Sequence, residues 1–203
     1  MRRNLSAQTL LVATGNKGKL AEYSALLEPF GTQLVSLADL GLQEPEETQS
    51  SFAGNARIKA GAGAMSSGLP AIADDSGLVV EAMGGAPGVY TADWAERGHE
   101  RDFRSAMQKI WSVLDALRSP GPRKARFHCT IVVAWPDGEE VAMVGEVEGH
   151  LVWPPRGIAG HGFDPMFCAL GQSLTFAEMS EVAKNRISHR ALAFEKLRGL
   201  CFT

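Results

Sequence analysis

Two adjacent acids follow a short apolar segment near the middle of the chain. Asp74 and Asp75 come directly after the apolar residues 71–73. Because neighbouring carboxylates repel each other, we expect a divalent cation or a basic partner beside them. Glu47, in the acidic and polar stretch 44–51, is a candidate for a further oxygen ligand. The alternative interpretation is an Asp-rich turn that binds no ligand.

A polar segment with two glycines, Thr14-Gly15-Asn16-Lys17-Gly18-Lys19, lies between a predicted strand and a predicted helix. Glycine lets the backbone approach a ligand closely, and the first N–H groups of a helix attract an anion. Thr14 and Asn16 add side-chain donors, and Lys19 adds a positive charge. The spacing differs from the GxxxxGK[ST] phosphate loop. The segment is therefore either a phosphate-binding loop or a plain turn with a solvated lysine.

Basic residues gather near the C-terminus at Lys184, His189 and Arg190. Ser188 is a candidate N-cap for a closing helix over about residues 189–200. A helix N-terminus disfavours uncompensated cations, so we expect an anion or a carbonyl group as their ligand. A solvated basic face is the alternative.

A glycine-flanked segment places His161 and Phe163 beside an acid, Asp164. A purine base would stack on such an aromatic or imidazole face, while Asp164 would accept from ring N–H groups. The alternative is a glycine-rich turn with a buried Phe.

The composition is that of an ordinary globular protein. The length of 203 residues suits one domain, or one domain with two lobes, and the net charge of -3 argues against a nucleic-acid-binding face. Three widely spaced cysteines show neither metal-ligand nor disulfide spacing, which favours the reducing cytoplasm. The N-terminal apolar run, residues 10–13, is too short to span a membrane, so we expect no membrane partner.

Periodicity and turn residues predict an α/β protein with a sheet and crossover helices. The predicted strands cover residues 10–13, 33–37, 71–73 (resuming at 78–82), 127–135, 141–147 and 166–167. The predicted helices cover residues 20–30, 52–66, 103–117 and 189–200.

Six segments in this order resemble the inosine triphosphate pyrophosphatase family, and the resemblance runs from Leu11 to about Leu197. They are ATGNKGK at 13–19, SFAGNARIKA at 51–60, PAIADDSGLVVEAMGGAPGVY at 70–90, GFDPMF at 162–167, TFAEM at 175–179 and KNRISHRA at 184–191. The resemblance implies a mixed central sheet flanked by helices, in a single domain over residues 1–203 with a substrate cleft between two lobes. It also implies a homodimer that uses Mg²⁺ to hydrolyse ITP, dITP and XTP to the monophosphate and pyrophosphate.

The resemblance also assigns roles by position. It gives the triphosphate to the segment from Thr14 to Lys19, and the metal to Glu47 and Asp75, with Asp75 as the base for the attacking water. It gives further substrate contacts to Ser76, His161, Gly162, Phe163, Asp164, Lys184, His189 and Arg190. Supporting roles fall to Asn55, Lys59 and Asp74, where Lys59 either reaches a phosphate or pairs with the acids.

Donors aimed at O6 would select a 6-oxo purine, and His189 and Arg190 are the candidates. Several positions depart from the family pattern. His161 stands where Phe is common, and Phe163 replaces a Tyr or Trp. The other replacements are Gly54 for Glu, Asp93-Trp94 for an Arg-Tyr pair and Ala191 for Gly. Two alternatives stay open: a catalytically weak nucleotide-binding or regulatory protein, and a pyrophosphatase for other modified nucleotides.

Overall fold

A computed structural model of the chain describes residues 3–98 and 100–202. Within these residues the strands are β1 (Thr9–Val12), β2 (Gln33–Ser36), β3 (Ala71–Val80), β4 (Glu96–Arg97), β5 (Glu100–Arg101), β6 (Arg123–Ala134), β7 (Glu140–Leu151) and β8 (Phe167–Ala169). The helices are α1 (Lys17–Leu27), α2 (Phe52–Ser67), α3 (Phe103–Ala116), α4 (Glu181–Ile187) and α5 (His189–Cys201).

One mixed sheet has the hydrogen-bonded order β2-β1-β3-β6-β7-β8. Strand β1 pairs in parallel with β2 and with β3, so that Leu11 lies opposite Val35 on one side and Ala71 on the other. Strands β7 and β8 are antiparallel. Parallel neighbours need crossover connections, which α1 and α2 supply. The predicted mixed α/β fold is confirmed.

The chain divides into two compact units. The first comprises the chain as far as Asp75, residues Cys129–Gly145 and the chain from Arg190 onward. The second comprises residues Ser76–His128 and Glu146–His189. The expectation of a single domain over residues 1–203 with a cleft between two lobes stays a prediction.

In the first unit the sheet is covered on both faces, which is why β1 is a continuous apolar run. Leu10 and Val12 pack with buried residues of α1 and α5, whereas Leu11 packs with three alanines of α2. Successive side chains of a strand point to opposite faces, so neighbouring positions meet different helices. The same alternation places Asp74 and Asp75 of β3 on opposite faces of the sheet.

The second unit has its own core around the amphipathic helix α3. Met107, Ile110 and Leu114 lie on one face of α3 and join the aromatic rings of Phe127 and Phe167 in one buried cluster. Asp102 caps this helix, because its carboxylate accepts a hydrogen bond of 2.9 Å from the backbone N–H of residue 105. Burial of this apolar face supplies most of the helix's stability.

Two local predictions were wrong. Strand β3 runs unbroken over ten residues, Ala71–Val80, so the acids at 74 and 75 lie inside a strand rather than in an Asp-rich turn. Pairing of β3 with its neighbouring strands outweighs the turn preference of Asp, and Arg190 and Lys19 neutralise the Asp74 charge inside the strand. Lys184 is not at the start of the closing helix: it lies in a separate helix, α4, which Ser180 caps.

Candidate functional site

Strand β3 sends its two neighbouring acids to opposite faces of the sheet. Asp74 meets side chains of α1 and α5, while Asp75 meets Asn55 of α2. This geometry follows from the two-residue period of a strand. The repulsion expected between the neighbours is therefore not the main cause of the pKa shift of Asp75. The main causes are burial and the charges of Lys59 and Glu47.

Asp75 is nearly buried, with 5% of its surface exposed. Nδ2 of Asn55 donates a hydrogen bond of 3.1 Å to its Oδ2 atom. Burial raises the pKa of Asp75 to about 6; the charge of Lys59 lowers the pKa and that of Glu47 raises it. A carboxyl group with a pKa near neutrality is suited to accept a proton at physiological pH.

Lys59 is a buried lysine whose ammonium group bonds the carboxylate of Glu47. Burial lowers the pKa of Lys59, but the charges of Asp74, Glu47 and Asp75 outweigh burial and raise the pKa overall. In the structure Lys59 is paired with Glu47, and a contact of Lys59 with a phosphate stays a prediction.

Glu47 and Asp75 suit a hard divalent cation. Both offer carboxylate oxygens, and Glu47 is close enough to Asp75 for its charge to raise the pKa of Asp75. Among residues 3–98 and 100–202, no group of three or more His, Cys, Asp and Glu side chains is placed to hold a metal by itself. Mg²⁺ is commonly held by one or two carboxylates together with substrate phosphates and water. The residues present therefore fit a divalent cation that takes its other ligands from outside the protein.

Asp74 is fully buried and acts as the counterion of two cations. Nη2 of Arg190 lies 3.0 Å and Nζ of Lys19 lies 3.1 Å from its Oδ2 atom. The Tyr23 hydroxyl donates to Oδ1 over 3.3 Å. Burial alone would raise the pKa of Asp74, but Arg190 and Lys19 hold the pKa well below its usual range. Asp74 is thus ionised and already neutralised.

Arg190 is also buried, and it bonds Glu22 of α1 as well as Asp74. An anionic partner is expected for a cation at the start of a helix, and for Arg190 two carboxylates from other elements supply it. Glu22 was not singled out from the sequence. An acid on α1 at a buried position beside Tyr23 is the signal that would have found it.

The segment from Thr14 to Lys19 forms a loop that leads into the first turn of α1, and three of its backbone N–H groups bond side chains of the segment itself. The Asn16 carboxamide accepts from the N–H groups of Gly18 and Lys19, at 2.9 and 3.2 Å, and so caps α1. The Thr14 hydroxyl accepts from the N–H of Asn16 at 3.1 Å. These bonds hold the loop in one conformation between β1 and α1.

Gly15 and Lys17 differ from the other residues of this loop in their surroundings. The N–H of Gly15 donates to Oε2 of Glu44 over 2.8 Å, while Lys17 is exposed. Glu44 belongs to the acidic stretch but was not among the predicted site residues.

In the second unit, Lys184 and Asp164 form a buried ion pair with an N···O distance of 2.6 Å. The N–H of His161 donates to the same Asp164 oxygen over 2.7 Å. Gly160 has a φ of 75°, and a Cβ atom there would collide with the Asp164 carboxylate, so only glycine fits. The pair fixes the glycine-rich segment on α4.

The aromatic residues of this segment differ in exposure. Phe163 is 1% exposed and packs edge-on against Phe103, with ring centroids 5.4 Å apart. It is therefore a core residue, and the predicted stacking face is not at the surface in this conformation. His161 is exposed.

His189 is buried and stacks on Phe127 at 4.9 Å, and Ser76 is half-buried on β3.

The chain is similar in sequence to known proteins. The model of the Ham1 family matches residues 10–200. A dITP/XTP pyrophosphatase of Ruegeria pomeroyi is 55% identical over 202 residues, covering 100% of this chain and 99% of the relative. A dITP/XTP pyrophosphatase of Agrobacterium fabrum is 49% identical over 210 residues, covering 98% of both.

Solved structures are similar as well. A HAM1 protein from Coxiella burnetii superposes with a TM-score of 0.85 at 35% identity, covering 95% of this chain and 96% of the other. A nucleoside-triphosphatase (dITP/XTP pyrophosphatase) from Mycobacterium abscessus gives a TM-score of 0.74 at 39% identity, covering 93% and 98%. In the part of the chain that the structure describes, every helix is too short or too polar to cross a membrane.

Proposed function

The chain belongs to the Ham1 family, and on that premise we propose that it hydrolyses ITP, dITP and XTP to the nucleoside monophosphate and pyrophosphate. The structural observation that carries this assignment is the carboxyl group of Asp75, whose pKa of about 6 sets it apart from ordinary acids. The full-length similarity to relatives named dITP/XTP pyrophosphatases supports the choice of substrates.

In the proposed reaction Asp75 is the general base. It accepts a proton from a water molecule whose oxygen forms a bond to the α-phosphorus. The bridging bond between the α- and β-phosphates breaks, and its electron pair leaves with pyrophosphate. Asn55 orients the Asp75 carboxylate through the hydrogen bond to Oδ2. Phosphoryl chemistry of this kind depends chiefly on positioning and on neutralised charge.

We assign Glu47 and Asp75 as the residues that hold Mg²⁺. The bound cation would supply neutralisation of the charge on the phosphate oxygens. Lys59 keeps the Glu47 side chain in place through their ion pair.

The segment from Thr14 to Lys19 is the proposed triphosphate loop. Lys17 is its exposed cation, whereas Lys19 is tied to the backbone carbonyl and the carboxylate of Asp74. Lys19 therefore keeps a fixed position at the start of α1, which favours phosphate binding because less side-chain entropy is lost.

We assign the nucleobase to residues of the second unit, with Ser76 as a further contact. His161 offers its exposed ring for stacking, while Gly162, Phe163, Asp164 and Lys184 support that segment. His189 is the donor for O6 of the base. Arg190 is reassigned to a positioning role, because Glu22 and Asp74 occupy its guanidinium.

We further propose that the protein works as a homodimer in the cytoplasm. The three thiols support a reducing compartment, since Cys129, Cys168 and Cys201 are all free and buried. The dimer rests on the family resemblance, and analytical ultracentrifugation tests it directly.

A panel of nucleoside triphosphates with separate detection of pyrophosphate and orthophosphate tests the function. We expect ITP, dITP and XTP to be cleaved far faster than ATP, with pyrophosphate as the first product and with a requirement for Mg²⁺. Equal rates on ATP, or orthophosphate first, contradict the proposal. Tight binding of ITP without turnover would favour a nucleotide-binding or regulatory protein. Faster turnover of modified pyrimidines would favour a pyrophosphatase for other modified nucleotides.

A further inference from the structure

An acidic side chain accepts a hydrogen bond from a backbone N–H group of the proposed triphosphate loop. Oε2 of Glu44 accepts a hydrogen bond of 2.8 Å from the backbone N–H of Gly15. The approach is so close that a Cβ atom on Gly15 would lie 2.8 Å from that oxygen. Glycine at this position therefore leaves room for an anionic oxygen against the backbone.

Three other backbone N–H groups of the loop have partners within it. The Asn16 N–H is satisfied by Thr14, and the N–H groups of Gly18 and Lys19 are satisfied by Asn16. Glu44 differs from these partners because it reaches the loop from 29 residues away and sits on an exposed stretch. It is a partner that can leave without unfolding the loop.

We propose that Glu44 occupies the place of a substrate phosphate oxygen at the Gly15 N–H, and that it must be displaced when the triphosphate binds. This inference rests on the proposed role of the loop. A carboxylate oxygen and a phosphate oxygen make the same charge-assisted hydrogen bond to a backbone N–H, so the two compete directly. Glu44 thereby sets the affinity for the triphosphate and for the pyrophosphate product.

The size of the effect follows from the strength of one hydrogen bond. When only a fraction of the protein has the N–H free, the apparent dissociation constant rises by the inverse of that fraction. A net hydrogen bond of ordinary strength corresponds to a change of about two- to tenfold. We expect Glu44→Ala to lower KM for ITP by this factor while kcat is unchanged.

Two further variants separate occupancy from charge. Glu44→Asp keeps the charge but shortens the side chain, so we expect it to lower KM as Glu44→Ala does. Glu46→Ala removes an exposed acid two residues away, and we expect it to leave KM at the wild-type value. The inference is overturned if Glu44→Asp behaves like wild type, if Glu46→Ala lowers KM as much as Glu44→Ala, or if Glu44→Ala raises KM.

Calorimetry with pyrophosphate in the presence of EDTA tests the same point without turnover. We expect Glu44→Ala and Glu44→Asp to bind pyrophosphate about two- to tenfold more tightly than wild type and Glu46→Ala. Equal affinities overturn the inference even if the enzyme hydrolyses ITP. Tighter pyrophosphate binding in a protein that cleaves no ITP would instead uphold the inference and refute the proposed function.

Discussion

Nη2 of Arg190 donates a hydrogen bond of 3.0 Å to Oδ2 of Asp74, which lies 116 residues earlier in the chain. This contact joins the first turn of α5 to the centre of β3. The two adjacent acids therefore have different roles. Asp74 is a structural counterion, whereas Asp75 keeps a raised pKa.

We expect Arg190→Met to lower the free energy of unfolding by about 3–5 kcal/mol, because it leaves Asp74 and Glu22 buried without their shared cation. Urea unfolding at neutral pH measures the change. Arg198→Met, in an exposed pair with Glu195 on the same helix, is the control and is expected to change stability by less than about 0.5 kcal/mol. Similar losses in both variants would show that Arg190 has no special role.

We expect Asp75→Asn to lower kcat for ITP at least about 100-fold, since Asn cannot accept the proton of the attacking water. Pyrophosphate release measures the rate, and circular dichroism checks the fold. Asp39→Asn removes an exposed acid that accepts hydrogen bonds from Ser36, and its rate is expected to match wild type. Full activity of Asp75→Asn would remove Asp75 from the base role.

The raised pKa of Asp75 also predicts the pH dependence of stability in metal-free protein. Its pKa is about 6 in the folded chain, against roughly 3.9 when unfolded. Between these values the folded chain keeps a proton on Asp75 that the unfolded chain has lost, so the contribution of Asp75 to stability falls as the pH rises from about 4 to about 6. Above about pH 6 the penalty is complete and reaches up to about 3 kcal/mol.

Asp75→Asn carries no such proton. With EDTA present, we therefore expect this variant to melt at a higher temperature than wild type near neutral pH, and at a similar temperature near pH 4, by differential scanning calorimetry. Added MgCl₂ should raise the melting temperature of wild type more than that of the variant. A variant that is less stable than metal-free wild type at neutral pH contradicts this prediction.

We expect His161→Ala to raise KM for ITP by about two- to tenfold with little change in kcat, because one stacking contact with the base is lost. His161→Phe restores a flat ring, so its KM should return to the wild-type value or below. Ile158→Ala, a fully exposed residue of the same segment, is the matched control. An unchanged KM in His161→Ala would exclude base stacking on His161.

The sequence by itself determined the family and the order of the longer strands and helices. Apolar runs and turn residues predicted β1, β2, α1, α2 and α3, because burial and capping are local patterns. The motifs at 13–19 and 70–90 identified the loop and the acids. The short helix α4 was missed, since seven residues carry little periodicity.

Only the tertiary structure decided which charges meet. Asp74 and Asp75 are identical in type and adjacent in sequence, yet the strand sends one to Arg190 and the other to Asn55. Lys59 forms an ion pair with Glu47, and Phe163 is buried in the core. Partners separated by many residues are set by packing of distant elements, and no local pattern contains that information. The contact between Glu44 and Gly15 is of the same kind.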